Sequence, residues 1–97
     1  MKTKRKMIHT GLIKLNGVKV VLQDELKDAS IKLTEFQNDL KTYIGLRSVV
    51  TEKQRPKLED RIYKCEGNVN YFTKLIATKK VMIENLCNID LDFRQEL

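Results

Sequence analysis

The sequence predicts a mainly α-helical protein: an antiparallel two-helix hairpin with a coiled-coil-like seam, preceded by a short N-terminal β-hairpin (ββαα) and associating into a helical bundle. Apolar residues recur in steps of three and four over most of the chain, and proline occurs once in 97 residues. An Asn-Gly pair between apolar residues predicts the β-hairpin. We expect a basic, flexible arm and one domain: arm 1–6, domain 7–97, with β-hairpin 7–22, helix 23–47, loop 48–56, helix 57–89 and tail 90–97.

The β-hairpin is predicted from residues 13–20, IKLNGVKV. Asn16-Gly17 favours a two-residue type I′ turn between alternating apolar residues. Three β-branched residues that prefer strands follow it: Val18, Val20 and Val21. A rival interpretation makes Asn16 the N-cap of a helix, but it puts glycine and three valines in the first turns. The β-hairpin is therefore the favoured interpretation, although it sets Lys14 opposite Lys19, and like charges in that position are destabilising.

Two stripes of apolar residues predict the helices. The first steps by four and three residues through Leu22, Leu26, Ala29, Leu33, Phe36, Leu40 and Tyr43. The second steps likewise through Leu58, Ile62, Cys65, Val69, Phe72, Ile76, Lys79, Ile83 and Leu86. Such spacing is typical of a heptad seam, and the two stripes match if the chain doubles back between Arg47 and Leu58. The match sets Phe36 near Val69, and places the Lys79 ammonium within reach of Glu25 or Asp28.

The connection between the helices carries two competing start signals. Thr51 followed by Gln54 resembles a capping box. Pro56 is best placed in a first helical turn and disfavours helical geometry at the residue before it. A helix that begins at Glu52 with an irregular first turn and one that begins at Pro56 both remain open.

The net charge of +6 is concentrated at the N-terminus. The first 20 residues contain six cations and no acid, whereas the acids and bases of residues 21–97 balance. The candidate nucleic-acid or anion contacts are Lys2, Lys4, Arg5, Lys6, Lys14 and Lys19. No aromatic residue accompanies them to stack on bases, so the alternative function they predict is sequence-independent phosphate binding. A basic arm is equally suited to an acidic patch on a protein.

Apolar and tyrosine residues outside the seam predict a protein interface. The candidates are Ile31, Ile44, Tyr63, Tyr71, Leu75, Met82 and Ile89. The last three repeat every seven residues along one side of the second helix, where either the β-hairpin or a second copy of the chain can cover them. The expected partners are therefore the chain itself, as a homo-oligomer, and an unidentified protein.

Motifs of catalysis, cofactor binding and metal binding are missing from the sequence. His9 has no triad or metal partner in sequence, and no phosphate-binding loop or CxxC pair occurs. No apolar run is long enough to cross a bilayer. Cys65 and Cys87 read as free thiols of a reducing compartment, which predicts a cytoplasmic protein. The function predicted is a non-enzymatic adaptor, regulator or inhibitor that acts through helical-hairpin contacts, with no cofactor, metal or small-molecule substrate.

Overall fold

Two long helices packed together form most of the structure. A computed structural model describes residues 2–96, with side chains from residue 4 onward. Helix α1 spans Lys2–Gly45, a 3₁₀ turn spans Leu46–Ser48, and helix α2 spans Arg55–Gln95. The prediction of a mainly α-helical chain with a helical hairpin is confirmed. Residues 2–6 of the predicted arm form the start of α1, and α2 extends into the predicted tail.

The predicted N-terminal β-hairpin is wrong. Residues 7–22 lie within α1, and no strand occurs among residues 2–96. Gly17 does not have the positive φ that a type I′ turn requires. The physical reason is that the heptad spacing continues backward from the predicted helix, through Leu15 and Leu12 to Ile8. A two-stranded hairpin alone is marginal, whereas a continuous helix buries Ile8 and Leu22 in one seam.

The described residues divide into two compact units. Unit 1 contains the stretch up to Lys27 and the stretch from Ala77 onward, and unit 2 contains Asp28–Ile76. In both units a segment of α1 packs against a segment of α2. The two units are described separately below.

Unit 2 has the better-filled seam. Its buried residues are Ala29, Leu58, Ile62 and Cys65. The Phe36 and Phe72 rings stack with centroids 5.7 Å apart, so Phe36 meets Phe72 and lies a turn away from the level expected from Val69. Arg47 makes two hydrogen bonds of 2.9 Å to the Glu59 carboxylate. Residue numbers thus rise along α1 as they fall along α2, which is the predicted antiparallel arrangement.

The connection in unit 2 resolves the two start signals. Helix α2 begins at Arg55, with Pro56 in its first turn. The Thr51 N–H donates to the Gln54 side-chain oxygen at 3.2 Å, which is one half of a capping box, and the Gln54 N–H donates to the Thr51 carbonyl at 3.0 Å. Residues 51–54 therefore form a separate turn that leads into the helix.

Unit 1 has a thinner core. Among its described side chains only Ile8 and Leu22 are buried. The Phe93 ring lies over Gly11, where a Cβ atom would stand 3.1 Å from the ring. Glycine at this position therefore lets α2 place an aromatic ring against the α1 backbone.

Candidate interaction surface

The seam of unit 1 contains an ion pair at positions that are apolar elsewhere. Lys19 precedes Leu22 by three residues and Asp90 follows Leu86 by four, so both continue the seam spacing. Their side chains are only 19% and 17% exposed, and the Lys19 Nζ and Asp90 Oδ2 atoms are 3.9 Å apart. Arg94 also donates to Asp90 at 3.0 Å. Partly desolvated charges at such positions fix which partner each helix accepts.

Two further ion pairs mark one side of unit 1. The Lys4 Nζ and Glu96 Oε2 atoms are 3.9 Å apart. The Lys79 ammonium donates to the Glu25 carboxylate, which is one of the two partners that the sequence predicts for it. Lys4 and Glu25 are separated by three heptads, so they lie on the same side of α1. Gly11 and Val18 fall at the heptad positions between them.

The same side of α2 carries residues spaced by seven from Glu96. They are Ile89 and Met82. Val21 lies three residues beyond Val18 and Met7 four residues before Gly11, which places both beside this row on α1. The exposed fractions are 69% for Met7, 49% for Val18, 55% for Val21, 45% for Met82 and 40% for Ile89. We call these five residues the apolar patch.

A hollow of about 370 Å³ adjoins the apolar patch. Its lining comprises Lys6, Met7, Thr10, Gly11 and Lys14. All five lining residues belong to α1, and the Phe93 ring of α2 occupies the place where a Gly11 side chain would begin. A hollow of this size accommodates an apolar side chain from another molecule.

The opposite side of unit 1 is more polar. Its heptad positions next to the seam are occupied by His9, Asn16, Gln23, Lys80, Cys87 and Arg94, and all six are exposed. Ile13, Val20 and Leu91 are exposed on this side too, but polar residues separate them from the seam. The two sides therefore differ at the positions next to the seam, which are apolar at Val18, Met82 and Ile89 and polar on the opposite side.

The structure separates the predicted interface residues into two groups. Met82 and Ile89 lie in the apolar patch, uncovered because no β-hairpin packs over them. The other five belong to unit 2, where Leu75 is half-buried and the rest are exposed: Ile31, Ile44, Tyr63, Tyr71 and Leu75. The Tyr71 ring packs edge-on against Phe72, with centroids 5.1 Å apart.

Sequence reasoning missed three residues of the apolar patch: Met7, Val18 and Val21. All three lie in the segment 7–22 that the sequence predicts as a β-hairpin, where they share no helical face. Extending the heptad of α1 back to Ile8 places Val18 beside the seam and reveals them.

The predicted basic cluster is only partly assembled. The side chain of Lys2 lies outside the described residues. Lys19 is half-buried beside Asp90, and the expected Lys14–Lys19 strand pair does not exist because both residues belong to α1. Arg5, Lys6 and Lys14 are exposed, and among the described residues no acid pairs with them.

The described groups with a shifted pKa lie in unit 2, where burial and an ion pair account for the shifts. Burial raises the pKa of the Cys65 thiol, with a further contribution from Asp39. The hydrogen bond from Arg47 lowers the pKa of Glu59. Within residues 2–96 no three His, Cys, Asp or Glu side chains are placed to hold a metal ion. None of the described helices is long and apolar enough to cross a membrane.

Comparisons with protein-family models, with curated proteins and with solved structures give no match for this chain.

Proposed function

We propose that the protein is a non-enzymatic assembly module that binds protein through the helical hairpin. The observation that carries this proposal is the apolar patch on one side of unit 1, whose five side chains are each at least 40% exposed. Grouped exposed apolar surface is typical of interaction sites.

The apolar patch has the composition of an interface core. It combines methionine, valine and isoleucine, and its two ends carry ion pairs. One exposed charge, Lys14, lies in the outer row of α1 between Met7 and Val21. Interface cores are depleted of charged residues, and their rims are polar. Unit 1 also gains from a partner, because its own buried core is limited to Ile8 and Leu22 among the described side chains.

A site-specific photo-crosslinking experiment in the native host tests this proposal. A photoreactive amino acid replaces Met82 or Ile89 in the apolar patch. In matched controls it replaces Val81 or Leu91, which are neighbours that lie outside the patch and are more exposed than Met82 and Ile89. We expect discrete adducts from the two patch positions and none from the controls. Adducts of equal yield from all four positions, or none from any, would refute the proposal.

Binding to nucleic acid is the second candidate function, and one observation favours it. Arg5, Lys6 and Lys14 are exposed on one helix and are not paired with an acid among the described residues. Three phosphate contacts predict a salt slope near −3 on duplex DNA, at about −0.9 per contact. Affinity then falls roughly 40-fold between 50 and 200 mM salt.

Filter binding at these two salt concentrations tests the second candidate. Changing Arg5, Lys6 and Lys14 to serine together should abolish retention of DNA at low salt. The matched control removes the same number of charges from exposed positions farther along α1: Lys27, Lys32 and Lys41. If both variants lose DNA retention equally, net charge alone accounts for the binding, and a site at the N-terminal end is excluded.

A further inference from the structure

We propose that the partner of the apolar patch is a second copy of this chain, seated face to face on the same side of unit 1. This inference rests on the proposed function and names its partner. Its basis is the arrangement of charge around the patch, which is complementary to itself.

Four charges stand at the corners of the apolar patch. Lys4 and Glu96 form one end; at the other, Glu25 accepts a hydrogen bond from Lys79, whose side chain is only 15% exposed. Helix α1 carries Lys4 and Glu25, and α2 carries Glu96 and Lys79. Signs therefore alternate around the four corners, with each cation next to an acid both along its own helix and across the hairpin.

An alternating set of four charges is self-complementary under a two-fold rotation. With the axis along the helices, α1 lies over the α2 of the second copy, so Lys4 meets Glu96 and Glu25 meets Lys79. With the axis across the helices, α1 lies over α1, so Lys4 meets Glu25 and Glu96 meets Lys79. In both arrangements every corner faces the opposite sign, as an isologous dimer requires. Lys14, exposed between Met7 and Val21, favours the first arrangement, because in the second it comes to the level of Lys14 in the other copy.

The apolar residues of the patch also suit a second copy. With the axis along the helices, Ile89 of each copy comes near the level of Val18 in the other, because the neighbouring residues Asp90 and Lys19 pair at that level within the chain. Apolar side chains of the two patches therefore meet each other.

Sedimentation of the purified chain over a hundredfold dilution tests the proposal. We expect a monomer–dimer equilibrium in the wild type. Ile89→Glu should raise the dissociation constant of the dimer about 100-fold, because one substitution places two charges in a symmetric interface. Leu91→Glu, the matched control on the other side of the same helix, should change it less than threefold. Val18→Glu repeats the test on α1, and circular dichroism at each concentration verifies that the helices persist.

A double charge exchange determines which axis is used. Lys4→Glu with Glu96→Lys keeps the ion pair within the chain but reverses both signs at one end of the patch. It preserves complementarity when α1 lies over α2, and it brings like charges together when α1 lies over α1. The dissociation constant should be unchanged if α1 lies over α2, and about tenfold higher if α1 lies over α1.

Two results would overturn this inference. The first is a strict monomer at every concentration, and the second is an equal loss of dimer from Ile89→Glu and Leu91→Glu. If the purified chain is monomeric while the Met82 position crosslinks to a heavier protein in the host, the second-copy inference fails and the proposed function stands. If neither assay shows a patch-specific contact, both fail.

Discussion

Changing Gly17 to alanine should stabilise the protein. Gly17 lies within α1, does not have a positive φ, and a Cβ added there meets no atom within 4 Å. Alanine is favoured over glycine in a helix interior by about 0.8–1.0 kcal/mol, so the free energy of unfolding should rise by that amount. For a chain of this length the melting temperature rises by about 4–8 °C. A β-hairpin at residues 13–20 predicts the opposite sign, because a type I′ turn would hold alanine in the left-handed region at a cost of roughly 1–2 kcal/mol.

Urea unfolding followed by circular dichroism at one protein concentration measures this change. Gly67→Ala is the matched control, because Gly67 is also helical with open space around it, and it should give the same gain. The two substitutions lie in different units, so their effects should add to within about 0.5 kcal/mol. Gly11→Ala should gain less or lose stability, because its Cβ stands 3.1 Å from the Phe93 ring. A loss of stability in Gly17→Ala beside a gain in Gly67→Ala would refute a continuous α1.

Three further predictions concern buried and paired groups. Replacing Lys19 and Asp90 together by leucine should raise the free energy of unfolding by about 1–4 kcal/mol in urea, because an apolar pair avoids the desolvation of two ions; a clear loss would contradict this. Cys87, exposed and outside the apolar patch, should react with a maleimide as a free thiol does, even in the proposed dimer. Buried Cys65 should react only when its helix opens, as followed by mass spectrometry of quenched samples. A lowered pKa means that the folded chain binds the Glu59 proton less tightly than the unfolded chain, so this stabilisation is present above the ordinary value of 4.5 and is lost as the pH falls through the folded value. Glu59→Gln should flatten the dependence of unfolding on pH below 4.5, and an unchanged slope would argue against the pair.

The helical hairpin could be predicted because burial imposes a spacing that the sequence displays. Between Leu22 and Leu86 the apolar stripes need no tertiary information to be recognised. The partner of Lys79 could also be predicted, because a lysine in the seam extends its ammonium toward an acid at the edge of the seam, and Glu25 lies near that level.

The N-terminal part of α1 could not be predicted from local signals. Asn16-Gly17 and the valines after it favour a turn and strands over short range, but these preferences are weak compared with burial against a second helix. Lys19 interrupted the apolar pattern on α1, and Asp90 interrupted it on α2. Each charge breaks the apolar spacing by which its helix would be recognised. The ion pair between Lys19 and Asp90 shows that both positions belong to the seam. Consequently Val18 was missed as an interface residue.

The Lys19–Asp90 pair has a consequence for how the hairpin closes during folding. A heptad pattern repeats itself, so the helices could slide by one repeat if the bend moved three or four residues along the chain. Apolar side chains would still find apolar neighbours after such a slide. In one direction, Lys19 would then face the level of Ile83 and Asp90 the level of Leu12, with neither charge compensated. The pair thus removes the closest competing alignment, and a chain with leucine at both positions would be free to close in more than one way.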